Sequence, residues 1–203
     1  MSLVPYFPAR VAAALLPAIM LSACATTHYR PVSDTPVRIG PPYALRGKTY
    51  VPAADPRYDI LGFASWYGSE SGNQTANGER FRPGGISGAH RTLPLPSYLE
   101  VTSLDTGRTI LLRVNDRGPF GNDWRIVDLS EGAAKQLGIK AGGAAPVRVR
   151  VVEPPEQDRS RLRNGKPARE RPALTGDALA RLSAQLKAGC TASTTAPAWC
   201  RRP

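Results

Sequence analysis

The chain has 203 residues, enough for one globular domain with flanking segments but not for two full domains. It contains 20 prolines and 19 glycines and carries a formal net charge of +11. The charge is uneven: residues 62–153 hold 11 Lys and Arg against 9 Asp and Glu, whereas residues 154–203 hold 10 against 4. With no basic helix or aromatic–basic platform, the composition argues against a nucleic-acid binder. The remaining interpretations of the basic segment are that it binds an anionic envelope polymer, that it binds a lipid surface, or that it is simply solvated.

The N-terminus has the pattern of an export signal. Arg10 precedes an apolar run at residues 11–23, which is too short to span the ~30 Å of a bilayer core as a helix. The run ends in Leu21-Ser22-Ala23-Cys24, which resembles a bacterial lipobox, in which the cysteine is diacylated and becomes the mature N-terminus. The alternative is an ordinary signal peptide with an incidental cysteine. The residue after the cysteine is Ala25 and not Asp, which resembles lipoproteins that are sorted to an outer membrane. We therefore expect the protein to be anchored at the periplasmic face of that membrane.

Residues 24–57 have repeated prolines and no helical period, which predicts an extended tether that lifts the following domain from the membrane. From there to residue 153 the pattern changes to short β-prone runs, and we place the one folded domain at residues 58–153. Strands are predicted at residues 63–67, 98–103, 109–114, 125–129 and 147–152. A helix is predicted after the N-cap Ser130, ending at Gly138. Many short strands with so little helix favour a small closed barrel.

The segment at residues 154–203 is predicted to be a basic, Pro- and Arg-rich tail with one short helix at residues 175–188. If Cys24 is lipidated, Cys190 and Cys200 remain as an even pair in an oxidising compartment, which makes a disulfide between them possible. The chain has two histidines, His28 and His90, and no CxxC or HxxxH spacing, so the sequence predicts no metal site and no cofactor.

Four titratable side chains are candidates for chemistry. Asp116 follows the apolar strand at 109–114, Asp128 ends a second strand, Glu79 follows the turn Asn77-Gly78, and His90 lies in a loop of small residues. Each has an alternative interpretation: Asp116 as a turn former, Asp128 as a helix cap, and His90 as a structural or solvated residue. From spacing alone these residues do not establish an enzyme.

The order of longer motifs is more specific. It resembles the rare lipoprotein A family over residues 43–152, through GFASWYG (62–68), TANGERF (75–81), AHRTLP (89–94), EVT (100–102), RVNDRGPF (113–120) and RIVDLS (125–130). The resemblance implies a mainly β fold, a six-stranded double-psi β-barrel with one or two short helices, flanked by disordered tails. It also implies a lytic transglycosylase that cleaves peptidoglycan glycan strands and prefers strands without stem peptides. Such an enzyme acts in cell-wall remodelling and daughter-cell separation.

Carried over residue by residue, the family's active-site acid corresponds to Asp116, with Glu79 and His90 as accompanying polar residues. Asp128 lies in a motif similar to the Asp-Leu-Ser of expansins and is the second candidate acid. Trp66 and Tyr67 are candidates for stacking on sugar rings, against the alternative of core packing, and Arg117 for binding a lactyl or peptide carboxylate. A second carboxylate near the acid would raise its pKa, which suits proton donation near neutral pH.

Two questions stay open at this point. The alternative function is an expansin-like barrel that binds peptidoglycan without cutting it, or a scaffold for envelope or division proteins. Longer family members also often carry a further domain of about 70 residues that binds denuded glycan at the septum. Residues 154–203 are too short for such a module, so septal targeting does not follow from the resemblance.

Overall fold

The computed structural model describes residues 28–139 and 143–192. Within these ranges the chain forms a two-stranded hairpin, a closed barrel and three helices. The strands are β1 (Tyr43–Leu45), β2 (Lys48–Tyr50), β3 (Asp59–Tyr67), β4 (Ser87–Ala89), β5 (Ser97–Ser103), β6 (Thr109–Asp116), β7 (Arg125–Ser130) and β8 (Ala145–Val151). The helices are α1 (Glu131–Leu137), α2 (Glu156–Arg163) and α3 (Gly176–Thr191).

The barrel closes in the order β3-β7-β4-β6-β5-β8. Two of its strand pairs, β3/β7 and β4/β6, are parallel, and the other four are antiparallel. The prediction of a mainly β fold built on a closed six-stranded barrel is confirmed. All five predicted strands are present, and β4 is an additional strand that the sequence pattern did not indicate.

Alternating side chains fill the barrel. Along β8, Val147 and Val149 are fully buried while Arg148 and Arg150 point outwards, as the period-2 pattern predicts. The interior side chains are apolar and branched, and each contributes roughly 1.5–3 kcal/mol by leaving water. Those with no more than 2% of their surface exposed include Leu99, Val101, Ile110, Leu112, Val114, Val127 and Leu129.

Helix α1 begins and ends where the sequence predicts. The hydroxyl of Ser130 accepts a hydrogen bond from the backbone N–H of Ala133 at 3.2 Å, which caps the first turn. Gly138 ends the helix with φ 83°, a left-handed conformation that costs glycine little. The helix packs Ala133, Ala134 and Leu137 into the core and so closes one side of the barrel.

The segment before the barrel differs from the predicted tether. Residues 28–57 pack along the barrel wall, and we call residues 28–39 the strap. The backbone N–H of Arg30 donates to the Gly78 carbonyl at 2.7 Å, and Arg38 exchanges two backbone hydrogen bonds with Leu95. Beyond the strap, the β1–β2 hairpin places Tyr43 against Phe120 with ring centroids 6.2 Å apart. The strap is ordered by contacts with distant residues, which a local pattern does not reveal.

The segment after the barrel also has more structure than predicted. Helix α2 was not predicted because Leu162 is its one buried apolar residue, yet that side chain joins the barrel core. Helix α3 confirms the predicted second helix. It packs Leu179, Leu182 and Leu186 against a cluster that includes Phe63 and Trp124 on the outside of the barrel. Within the described residues no helix is long and apolar enough to cross a membrane.

Gly107 tests the docking of the C-terminal segment. It has φ 72°, and a Cβ added there would lie 1.9 Å from the carbonyl oxygen of Leu174, which is backbone. We expect Gly107→Ala to destabilise the fold by several times the ~1–2 kcal/mol that the left-handed conformation alone costs. Gly47→Ala is the matched control, because Gly47 has φ 75° and nothing within 4 Å. Urea denaturation of both variants measures the difference, and equal losses would show that the segment does not dock as described.

Candidate active site

Strand β4 brings two carboxylates to one end of the barrel. Ala89 is in register with Asp116 of β6 on one side and with Asp128 of β7 on the other. Since neighbouring strands lie about 4.8 Å apart, the two aspartates flank Ala89 within roughly 10 Å of each other at their Cα atoms. Gly118 lies beside this pair, because a Cβ added to it would lie 3.5 Å from the Ala89 methyl group and 3.6 Å from Asp128 Oδ2.

Asp116 has the environment of a proton donor. Its Oδ1 accepts hydrogen bonds from the backbone N–H groups of Ala76 and Arg117, both at 2.8 Å. Its Oδ2 accepts none from the described residues and is left to carry a proton. Burial raises the pKa of Asp116, the negative charge of Asp128 adds to the rise, and the two N–H groups and the Arg117 guanidinium oppose it.

Asp128 has partners that favour its ionised form. Its Oδ1 accepts a hydrogen bond from the Ser65 hydroxyl, and the guanidinium of Arg125 lies 3.9 Å away. Arg125 in turn donates to the Ser65 hydroxyl oxygen at 2.9 Å, so the three side chains form one group. Burial raises the pKa of Asp128, while Ser65 and Arg125 counteract this. Asp128 supplies the negative charge that adds to the rise in the pKa of Asp116.

Strand β3 places its residues on two faces. Ser65 and Tyr67 are two residues apart and face the aspartates, whereas Trp66 packs against the barrel core. Tyr67 stacks on Phe81 with centroids 4.9 Å apart. Burial raises the pKa of Tyr67, and the negative charges of Asp116 and Asp128 raise it further. The predicted sugar-stacking roles of Trp66 and Tyr67 stay predictions. Sequence reasoning missed Ser65, although its spacing of two from Tyr67 is the signal that places it here.

Glu79 is buried at the end of the turn whose Ala76 N–H binds Asp116. It is 1% exposed, and its two carboxylate oxygens accept four hydrogen bonds. The Arg113 guanidinium supplies two of them, at 2.7 and 2.8 Å, and the side-chain amides of Asn77 and Asn115 supply the others, at 3.0 and 2.9 Å. These four hydrogen bonds fix the carboxylate in place, and the predicted role of Glu79 beside the acid stays a prediction.

His90 is buried, with only 4% of its surface exposed, and its predicted role beside the acid stays a prediction. Its Nδ1 accepts hydrogen bonds from the backbone N–H groups of Thr92 and Leu93, at 3.2 and 3.0 Å, so the neutral ring carries its proton on Nε2. The ring lies edge-on to Tyr58 with centroids 4.9 Å apart. Burial, followed by the charges of Arg91 and Arg117, lowers the pKa of His90 to about 3. The side chain folds the loop that follows β4 and thereby fixes Ala89.

Arg117 turns away from the aspartates. Its guanidinium donates to the carbonyl oxygens of Leu93 at 2.6 Å and Ile39 at 3.0 Å. These bonds fasten the strap to the loop after β4, so the predicted role of Arg117 in binding a substrate carboxylate has no support in its contacts. Arg91 holds the loop between β6 and β7 in a similar way, through the carbonyl oxygens of Pro119, Asn122 and Arg125.

The predicted covalent sites lie partly outside the described residues. Cys24 and Cys200 are among the residues that the structure does not describe. Cys190 is buried against the α3 cluster and is disulfide-bonded. Its pairing with Cys200 stays a prediction. Within residues 28–139 and 143–192 there is no group of three or more His, Cys, Asp and Glu side chains able to hold a metal ion.

The closed six-stranded barrel is a double-psi β-barrel, and residues 60–149 match the family model described as lytic transglycolase. Three relatives named endolytic peptidoglycan transglycosylase RlpA are similar to this chain. The one from Pseudomonas aeruginosa strain UCBPP-PA14 is 52% identical over 115 residues, which are 56% of this chain and 33% of the relative. The relative from Campylobacter jejuni is 47% identical over 55% of this chain and 41% of the relative. The relative from Vibrio cholerae is 44% identical over 60% of this chain and 48% of the relative.

Over the barrel domain the chain is therefore similar to the rare lipoprotein A family. The chain matches between a third and a half of the length of these relatives. Two solved structures are also similar to it. A Streptomyces papain inhibitor has a TM-score of 0.42 and 20% identity, covering 50% of this chain and all of that one. An expansin of Clavibacter michiganensis has a TM-score of 0.38 and 20% identity, covering 48% of this chain and 52% of that one.

The charge of Asp128 gives the site a measurable signature. Replacing Asp128 with asparagine removes a negative charge beside Asp116, so the pKa of Asp116 should fall in the Asp128→Asn variant. Titration of the Asp116 carboxyl carbon by ¹³C NMR measures this. Asp105→Asn removes the same charge at the opposite end of β6 and should leave the titration unchanged. An unaltered pKa in Asp128→Asn would show that the two carboxyls do not interact.

Proposed function

We propose that this protein is a lytic transglycosylase that cleaves the glycan strands of peptidoglycan at the MurNAc–GlcNAc bond. The observation that carries the proposal is the pair at β4: a carboxyl group whose pKa is raised by burial, beside a carboxylate fixed by Ser65 and Arg125. The activity named for the relatives supports the same reaction. The chain covers half or less of those three relatives, so the proposal concerns the barrel domain.

The reaction needs one group that first gives and then takes a proton. Protonated Asp116 donates its proton to the glycosidic oxygen while the bond from that oxygen to the anomeric carbon of MurNAc breaks. The C6 hydroxyl oxygen of the same MurNAc forms a new bond to the anomeric carbon and closes a 1,6-anhydro ring. The hydroxyl proton passes to the Asp116 carboxylate, which restores the starting state. The fixed charge of Asp128 stabilises positive charge at the anomeric carbon in the transition state.

The finer features of the reaction belong to the same proposal. We expect strands without stem peptides to be preferred, and a role in cell-wall remodelling and daughter-cell separation, as in the resembling family. Comparing products from sacculi with and without amidase treatment tests the preference separately from the cleavage itself.

Asp116→Asn is the first test. We expect it to lower the rate of anhydromuropeptide formation at least about 100-fold, because an amide cannot donate the proton. The fold should persist, since the asparagine carbonyl still accepts from Ala76 and Arg117. Mass spectrometry of digested sacculi measures the product, circular dichroism the fold, and Asp105→Asn is the control.

Two results would change this conclusion. If Asp116→Asn keeps its activity and Asp128→Asn loses it, the acid is Asp128. If the unaltered protein binds amidase-treated sacculi but releases no anhydro product, the barrel is a non-cleaving, expansin-like binding protein or an envelope scaffold.

We also propose that diacylation of Cys24 anchors the protein to the periplasmic face of the outer membrane. Three residues lie between Cys24 and His28, and at no more than ~3.6 Å for each of the four Cα–Cα steps the chain reaches about 14 Å. Arg30 is already bonded to Gly78, in the turn that holds Asp116. In an anchored protein the site end of the barrel is therefore held close to the membrane and not lifted from it.

This placement predicts a difference in energy transfer. In vesicles with acceptor-labelled headgroups, a donor fluorophore at Gln74, near the Arg30 contact, should transfer more than one at Thr106, at the far end of β6. The length of β6 separates the two ends by roughly 23 Å. Inserting 20 Gly and Ser residues between Thr27 and His28 should remove the difference. Cys24→Ser should abolish membrane binding and the acyl mass, and retention of both would refute the anchor.

A further inference from the structure

Asp34 in the strap joins three separate parts of the molecule. One carboxylate oxygen accepts from Arg113 Nε of β6 at 3.0 Å. The other accepts from the Tyr98 hydroxyl of β5 at 2.7 Å and from Arg163 at the end of α2. The side chain is 16% exposed, so these bonds form mostly away from water. All three partners are donors, and two of them are charged.

Arg113 connects this carboxylate to the interior. Its side chain is 2% exposed and lies between two anions, with Asp34 on its Nε and Glu79 on both terminal nitrogens. One terminal nitrogen also donates to the Ser33 carbonyl at 2.7 Å. Glu79, Arg113, Asp34, Arg163 and Glu156 therefore alternate in charge along one series of ion pairs. The strap completes the neutralisation of a buried guanidinium.

Glu79, which is held by Arg113, in turn holds the turn formed by residues 75–79. Besides the Arg113 guanidinium, its carboxylate binds the side-chain amides of Asn77 and Asn115. The strap holds the same turn directly, since Arg30 donates to the Asn77 carbonyl at 2.9 Å. Held in this way, the turn directs two backbone N–H groups towards the end of β6: that of Asn77 donates to the Asn115 carbonyl at 3.1 Å, and that of Ala76 donates to Asp116 Oδ1.

We propose that Asp34 is a positioning residue for the acid Asp116, acting through Arg113 and Glu79 on the turn whose Ala76 N–H binds the Asp116 carboxylate. Asp34 lies outside the matched family domain at residues 60–149, so nothing in that match assigns it a role. The catalytic consequence rests on the proposed function, whereas the structural coupling does not.

The variant Asp34→Asn removes the negative charge of the side chain and keeps its shape. Its side chain has one acceptor oxygen and one NH₂ group, which would face the donors of Arg113 or of Tyr98 and Arg163. One of these two sets of hydrogen bonds must break, and Arg113 loses a charged partner. The turn at residues 75–79 is then held less firmly. Asp116 then loses part of the Ala76 N–H bond that favours its ionised form, so its pKa rises. The other titratable groups around Asp116, namely Asp128, Tyr67 and Arg117, are unchanged by the substitution.

The sign of the effect on activity follows. Asp116 is active when protonated, so activity falls as the pH rises through its pKa. A higher pKa in Asp34→Asn should move this alkaline limb of the kcat/KM profile to higher pH. Simple loss of stability would instead lower the profile equally at all pH values at which the protein stays folded.

Glu100→Gln is the matched control. Glu100 on β5 is 11% exposed and also bridges an arginine of the barrel, Arg150, to one of the C-terminal segment, Arg171. It pairs with Leu111, about 16 Å along β6 from Asp116. This variant should leave the pH profile in place.

The experiment uses the mature full chain and two readouts: ¹³C titration of Asp116 and the pH dependence of anhydromuropeptide release. The proposal predicts an upward shift of both in Asp34→Asn and of neither in Glu100→Gln. A folded Asp34→Asn protein with an unshifted Asp116 titration overturns it. If Asp34→Asn does not fold, Asp34→Glu replaces it, because glutamate keeps the charge and displaces the carboxylate by one methylene. We then expect a smaller upward shift of the Asp116 titration. The absence of any shift in this variant would also overturn the proposal. If the titration shifts but no protein releases product, the coupling stands and the proposed function fails.

Discussion

The guanidinium of Arg113 is buried in the barrel wall, and the structure around it is arranged to neutralise its charge. Moving such an ion out of water costs several kcal/mol unless partners of opposite charge surround it, and removing one partner typically costs about 3–5 kcal/mol. Glu79 supplies one partner from within the barrel, and Asp34 supplies the other from the strap. The turn at residues 75–79, the strap and helix α2 each take their position from this one cation.

The two carboxyls at β4 show how the barrel topology creates unequal acids from the same residue type. The central strand is only Ser87–Ala89, and its small residues let Asp116 and Asp128 approach from either side. Backbone N–H groups hold one, and Ser65 with Arg125 holds the other. The difference in partners, and not in burial, makes Asp128 the anion that raises the pKa of its neighbour.

The sequence predicts those features whose cause is local. Strand β8 follows from alternating residues, α1 from the Ser130 cap and Gly138, and the two aspartates from their positions at strand ends. Strand β4 has no apolar pattern, and α2 has a single buried leucine, so neither was predicted. The roles of Glu79 and the strap depend on Arg113, which lies in the sequence TILLRV and gives no sign there of its charged partners. In the chain, Asp34 lies 79 residues from Arg113, and Glu79 lies 34 residues from it.

The contact between Asp34 and Arg163 spans 129 residues. A chain that is exported from its N-terminus presents the strap first and Arg163 long after it, so the carboxylate of Asp34 meets Arg113 before it meets its second arginine. Contacts of such separation form late in folding, because the intervening chain must be ordered before they contribute. The last ion pair of the cluster thus marks the arrival of the C-terminal segment, and the barrel stays incompletely braced until α2 has joined it.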